Sequence, residues 1–168
     1  MTTDTTRDFL RHLVATLAYR AAKVLRDAPA EFAEFSVTSG TRKPVQIVAH
    51  LADLMGWAVR LAQGEYLWRA EGSENWETEV SRFFQGLVSL DQCLSSDAAL
   101  SKTTATQLVQ GPLADALTHV GQLAMLRGAA GIPVRPESYA RAQIVVGLVG
   151  LEQPPPAREF DGDASARS

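Results

Sequence analysis

The chain has a single cysteine, Cys93, so it cannot close an internal disulfide, and its stability has to come from packing. Cys93 has no basic neighbour in sequence to activate its thiol and reads as inert. Positive charge is also in short supply. Lys and Arg total 16 against 19 Asp and Glu, for a net charge of −3 and a pI near 5.6, and the charges are scattered. Such a surface offers no field that would draw in a phosphate backbone, so no nucleic-acid partner is expected. No apolar run approaches the roughly 20 residues that a spanning helix needs, so no membrane is expected either. The opening MTTDTTRDFLRHL lacks a charged region followed by an apolar core and a cleavage site. The expected location is therefore cytoplasmic.

What is present is apolar periodicity. With 46% hydrophobic residues the chain can bury a core unaided, and we expect one helical domain over residues 1–160 with a disordered tail at 161–168. From Thr5 to Asp27 the residues Phe9, Leu10, Leu13, Val14, Leu17, Ala21, Val24 and Leu25 recur at three and four, which predicts an amphipathic helix. Residues Ala30 to Lys43 form a connection longer than a hairpin requires, consistent with crossing one end of a bundle. A second helix opens at Pro44 and ends by Gly64 on the stripe Ile47, Leu51, Leu54, Ala58 and Leu61. A link from Glu65 to Asn75 offers Ser73 and Asn75 as caps. The third helix, Trp76 to Ser95, carries a clean stripe of Trp76, Val80, Phe83, Phe84, Leu87, Leu90 and Leu94 and reads as core.

Ser95 to Gln110 reads as a polar loop. The fourth helix is placed at Val109 to Gly131, opened by Pro112 and closed near Gly128 and Gly131. The tail beyond holds a brief helix or an extended piece near Tyr139 to Val145, then an extended proline run at Pro154 to Pro156. Four long amphipathic helices predict an all-α four-helix bundle with a short extended or helical tail.

Chemistry concentrates in the fourth helix, where Asp115, His119 and Gln122 are spaced i, i+4, i+7 and stack along one side. Because Leu113, Leu117, Val120 and Ala124 lie roughly opposite, at about 100° per residue, that stack is also what a plain solvated face would show. His50 projects from the flank of the second helix's stripe, on the side of Trp57, where a hydrogen-bonded core histidine is the simpler reading. His12 lies off the centre of the first stripe, a more distant candidate ligand. Taken together, His50, Asp115 and His119 form a set of two imidazoles and one carboxylate. Zinc, nickel, iron or manganese accept such a set with positions open for water or substrate.

The phrase HVGQLAMLRGAAG, beginning at His119, resembles the signature of the DinB/YfiT-like metalloenzyme family. The segment IVAHLADLMGW is similar to the setting of that family's first ligand histidine. The resemblance implies a four-helix bundle, often dimeric, with a divalent metal at one end of the core. It maps the first ligand to His50 and the last to His119; the middle ligand, usually histidine, falls on Asp115. Gln122 matches the family's glutamine and is expected to pack or hydrogen-bond. The implied activity is transfer or isomerisation through a low-molecular-weight thiol such as mycothiol or bacillithiol, with Arg127 or the Glu65 to Asn75 link touching substrate. The competing expectation is a metal-free, degenerate dimer that serves as a binding or stress-response protein.

Overall fold

In the computed structural model, which describes residues 5–160, helices account for all the long elements: α1 (Thr5–Leu25), α2 (Pro44–Ala62), α3 (Trp76–Ser95), α4 (Lys102–Leu108) and α5 (Ala114–Ala129). The expected fraying at 161–168 lies outside the described residues. No strand forms among those described, where the one isolated β-bridge joins Glu137 to Glu159.

Local chemistry explains the boundaries. Pro44 starts α2, and the Gln46 side-chain carbonyl accepts from the Lys43 N–H at 3.0 Å. Asn75 caps α3 by accepting from the Thr78 N–H at 2.8 Å. Ser73 is no cap; its hydroxyl goes to Glu79 instead. Gly64 at φ +88° and Gly131 at φ +76° take the left-handed conformation that ends α2 and α5, as the N–H groups of Glu65 and Ile132 reach back to the carbonyls of Arg60 and Arg127.

The fourth helix departs from the expectation. A short helix, Lys102–Leu108, precedes it, started where the Ser101 hydroxyl accepts from the Thr104 N–H, so part of the predicted polar loop is helical. A wide π turn at Val109–Leu113, kinked at Gly111, then joins α4 to α5. The non-helical backbone of Gly111 (φ −96°, ψ −105°) breaks the run there, and Pro112, which has no N–H to donate, stands in the first turn after the break, as expected. Near the tail, only Tyr139–Arg141 makes a helical turn, and the stretch through Pro154 to Pro156 has no regular structure.

Helix α1 packs chiefly against α3 and α5, and α2 packs against the same two. The chain order therefore sends the connections α1 to α2 and α3 to α5 across the diagonals of the bundle, which accounts for their length. Between α2 and α3 the backbones approach closely: a Cβ on Gly86 would stand 2.6 Å from that of Met55. The core between the helices is made of side chains such as Leu17, Leu51, Leu54, Phe83, Leu87, Leu113 and Leu123. By length and hydropathy α2 is apolar enough to cross a membrane, contrary to the expectation that no run would be. In the bundle that apolar stripe is buried against α3 and α5.

The stretch after α5 folds back along α1. Buried Glu137 accepts from the Tyr19 hydroxyl at 2.7 Å and from Lys23 Nζ at 2.8 Å, and Lys23 also reaches Glu159 at 2.8 Å. Burial alone would lower the Lys23 pKa, but the two carboxylates outweigh it and hold the pKa above its ordinary value.

Candidate metal centre

Three residues predicted from sequence meet at one place. His50 Nε2 lies 3.3 Å from Asp115 Oδ2, and His119 Nε2 lies 3.4 Å from Asp115 Oδ1. The two imidazole centroids are 4.7 Å apart with rings nearly perpendicular. One donor atom from each residue falls within 4.8 Å of the other two, so the group can hold a metal ion.

The orientation of His119 corrects the simple helical-wheel reading. The buried residues of α5 include Ala116, Val120, Leu123 and Leu126, and His119 lies within that stripe rather than opposite it. Its side chain is 11% exposed, compared with 45% for Asp115 at the rim. The Asp115, His119 and Gln122 stack is therefore no solvated face. His50 is half-buried on α2 and looks across to α5.

The donor chemistry fits a divalent ion. Two ligands each about 2.0–2.1 Å from a tetrahedral ion stand about 3.3–3.4 Å apart, which is how far each imidazole is from its carboxylate oxygen. An imidazolium–carboxylate hydrogen bond would be shorter, about 2.7–2.9 Å. Gln122 Oε1, which can only accept, lies 2.6 Å from His119 Nδ1. In the neutral ring this partner selects the tautomer with the proton on Nδ1, which leaves the Nε2 lone pair aimed at the centre. Burial lowers the His50 pKa; Asp115 opposes that shift, while the charges of His119 and Arg42 add to it. His50 is consequently a neutral donor at neutral pH.

An aromatic wall stands beside the centre. Trp68, in the link after α2, has its ring centroid 5.7 Å from that of His50 and 5.8 Å from that of Trp57. Tyr66 packs edge-on against Trp57 as well. The Trp57 indole N–H is buried without a partner among the described residues, the kind of donor a bound molecule satisfies.

The link owes its position to contacts that sequence reading missed. Asp53, one helical turn from His50, accepts from the Glu71 N–H at 3.1 Å and from Arg82 Nη1 at 2.7 Å. Arg82 also contacts Glu79 at 2.6 Å, and Glu79 accepts from both the backbone and the hydroxyl of Ser73 at 2.7 Å. Burial would raise the Glu79 pKa, yet Ser73 and Arg82 together hold it below the ordinary carboxylate value. Gly72 presses on α2 so closely that a Cβ there would stand 2.8 Å from that of Ala49. A carboxylate among the apolar residues of α2 was the available signal.

Two further expectations are settled by position. Arg127 is buried and donates to the carbonyls of Ile132, Val24 and Arg26, so it fastens the end of α1 to the turn after α5 and does not face the centre. His12 is exposed on α1 and takes no part in the cluster. A groove of about 980 Å³ lies elsewhere, lined in part by Leu151 and by Trp76, Val80 and Phe84 of α3; Phe84 is buried in the core as expected, and Trp76 and Val80 pack partly buried against it.

The chain matches no known family model, no characterised protein and no solved structure.

Proposed function

We propose that the protein is a divalent-metal-dependent enzyme of the DinB/YfiT-like kind, acting through a low-molecular-weight thiol of the mycothiol or bacillithiol type. The observation that carries this reading is the convergence of His50 and His119, from two helices distant in sequence, on the carboxylate of Asp115. Zinc or nickel suits two imidazoles best, while iron or manganese is compatible with the added oxygen ligand. Bound there, such an ion would act as a Lewis acid and lower the pKa of a coordinated thiol or water into the neutral range.

The chain's own residues have separable tasks in this account. Burial keeps His50 neutral and ready to donate its lone pair. Gln122 fixes the tautomer and the ring plane of His119. Asp115, at the exposed rim, supplies negative charge and leaves one side of the centre open. Trp57 and Trp68 cover another side and limit water there. A homodimer belongs to the same proposal, supported by the groove along α3, where Trp76, Val80 and Phe84 lie among polar residues such as Asp27, Glu77 and Gln85.

One observation favours a second reading. Asp115 stands where the family-like pattern has a histidine, and its carboxylate lies within hydrogen-bond reach of His50 Nε2 at 3.3 Å, so the cluster would also suit a metal-free binding protein. The test is to load the protein with zinc or nickel and incubate it with low-molecular-weight thiols and a panel of electrophiles. Metal-dependent loss of thiol, abolished in His119→Ala, is the expected result. Equal thiol loss with and without metal would contradict the enzyme reading.

A further inference from the structure

Next to the metal centre lies a second, distinct space. A cavity of about 510 Å³ opens between the Ala30–Lys43 connection, the first turn of α2 and the outer part of α5. Its walls are mainly apolar: Val37, Ile47, Met125 and Leu126. Met125 and Val37 are 66% and 54% exposed, so two large apolar side chains face water at its rim. Their exposure is the kind that a bound apolar molecule removes.

The polar part of the lining is asymmetric in charge. Arg42 contributes a guanidinium, Thr41, His119 and Gln122 contribute neutral groups, and no carboxylate lines the space. No carboxylate pairs with Arg42 among the described residues, whereas the adjacent Lys43 is held by Glu34 at 2.6 Å. Arg42 is also well placed. Before it, the turn from Ser36 to Thr41 is tied by the Ser36 and Thr41 hydroxyls, both donating to the Thr38 carbonyl at 2.8 Å. After it, the Lys43 N–H is fixed to Gln46. A guanidinium carried on a backbone that is held on both sides, above an apolar floor, has the charge to pair with a carboxylate.

We infer that this cavity binds a small amphipathic carboxylate, its apolar body lying against Ile47, Met125 and Leu126 and its carboxylate paired with Arg42. The ligand touches the His119–Gln122 pair and so abuts the metal centre from the side of Nδ1. Calling it the substrate rests on the metal-enzyme reading; the binding itself does not. An uncharged molecule of equal size gains the apolar contacts but leaves Arg42 unpaired, so charge should discriminate more strongly than shape.

The test uses 4-phenylbutyrate and its uncharged amide, 4-phenylbutyramide, as probes, titrated by calorimetry into the full chain with and without one equivalent of zinc. The acid should bind at least tenfold more tightly than the amide. Arg42→Ala should erase that difference, and Arg42→Lys should retain part of it; Arg42 is exposed, so both variants should keep the wild-type circular dichroism. On adding the acid, the His119 ring resonances should shift while those of His12 stay in place. Equal affinity for acid and amide, unchanged discrimination in Arg42→Ala, or binding that leaves His119 unmoved would overturn the inference. A wild-type chain that binds the carboxylate but takes up no zinc would leave this inference standing while the metal-enzyme reading fails; zinc binding without carboxylate binding would do the reverse.

Discussion

Gln122 Oε1 accepts from His119 Nδ1 at 2.6 Å, and by doing so it points the other nitrogen of the ring at Asp115. The contact is internal to one helix turn, so it is set before any ion arrives. Gln122→Ala frees the ring to rotate and to change tautomer. Loss of such an orienting partner typically costs 10–100-fold in metal affinity. A chelator-competition titration should show a weakening of about that size, largely restored in Gln122→Glu, whose carboxylate can accept the same proton. Unchanged affinity in Gln122→Ala would show that His119 needs no orienting partner.

Arg82 bridges the carboxylates of Asp53 and Glu79, both buried, and through them holds the link that carries Trp68. Arg82→Ala leaves two buried negative charges facing each other. Removing one partner of a buried ionic network costs about 3–5 kcal/mol. Urea denaturation should show a loss of that order, together with greater solvent exposure of Trp68 in its fluorescence. A loss under about 1 kcal/mol would mean the network contributes no more than a surface pair.

The depressed pKa of His50 makes stability depend on pH. Because the folded value lies below the ordinary 6.5, the unfolded chain binds more protons than the folded chain between the two values. In that window stability rises with pH, so chelator-treated protein should lose stability as pH falls through 6.5. Denaturation midpoints measured from pH 7.5 down to pH 5 should fall more steeply for the wild type than for His50→Gln, which carries no titrating ring. Parallel curves for the two proteins would contradict the burial assigned to His50.

Much of the fold was legible because long helices repeat their apolar residues many times. Helices α1, α2 and α3 fall within a few residues of the stripes that predict them. The fourth helix was harder to place, since in KTTATQL only Ala105 and Leu108 are buried, too few to set a period. Pro112 also reads equally well as the start of a helix or as part of a widened turn inside one. At the site, the spacing of Asp115, His119 and Gln122 was visible, but their direction was not. A wheel drawn on one helix cannot tell which of two apolar stripes faces the neighbours, and here the stripe through Ala116, Val120 and Leu123 takes His119 inward with it.

The rest of the site depends on distances between chain segments, on which local pattern is silent. Trp68 lies in a link without helical period, and the Asp53–Arg82–Glu79 network joins two helices. Arg127 illustrates the opposite error. Its position within the family-like phrase suggested substrate contact, whereas burial against the carbonyls of Val24 and Arg26 gives it a structural task.

The most direct measurement is the metal content of the protein purified under non-chelating conditions and reloaded with zinc or nickel, with His50→Ala, Asp115→Ala and His119→Ala treated identically. The account predicts one ion per chain in the wild type and substoichiometric metal in all three variants, each still helical by circular dichroism. A wild-type protein that retains no zinc or nickel after reloading, or variants that hold as much as the wild type, would contradict it.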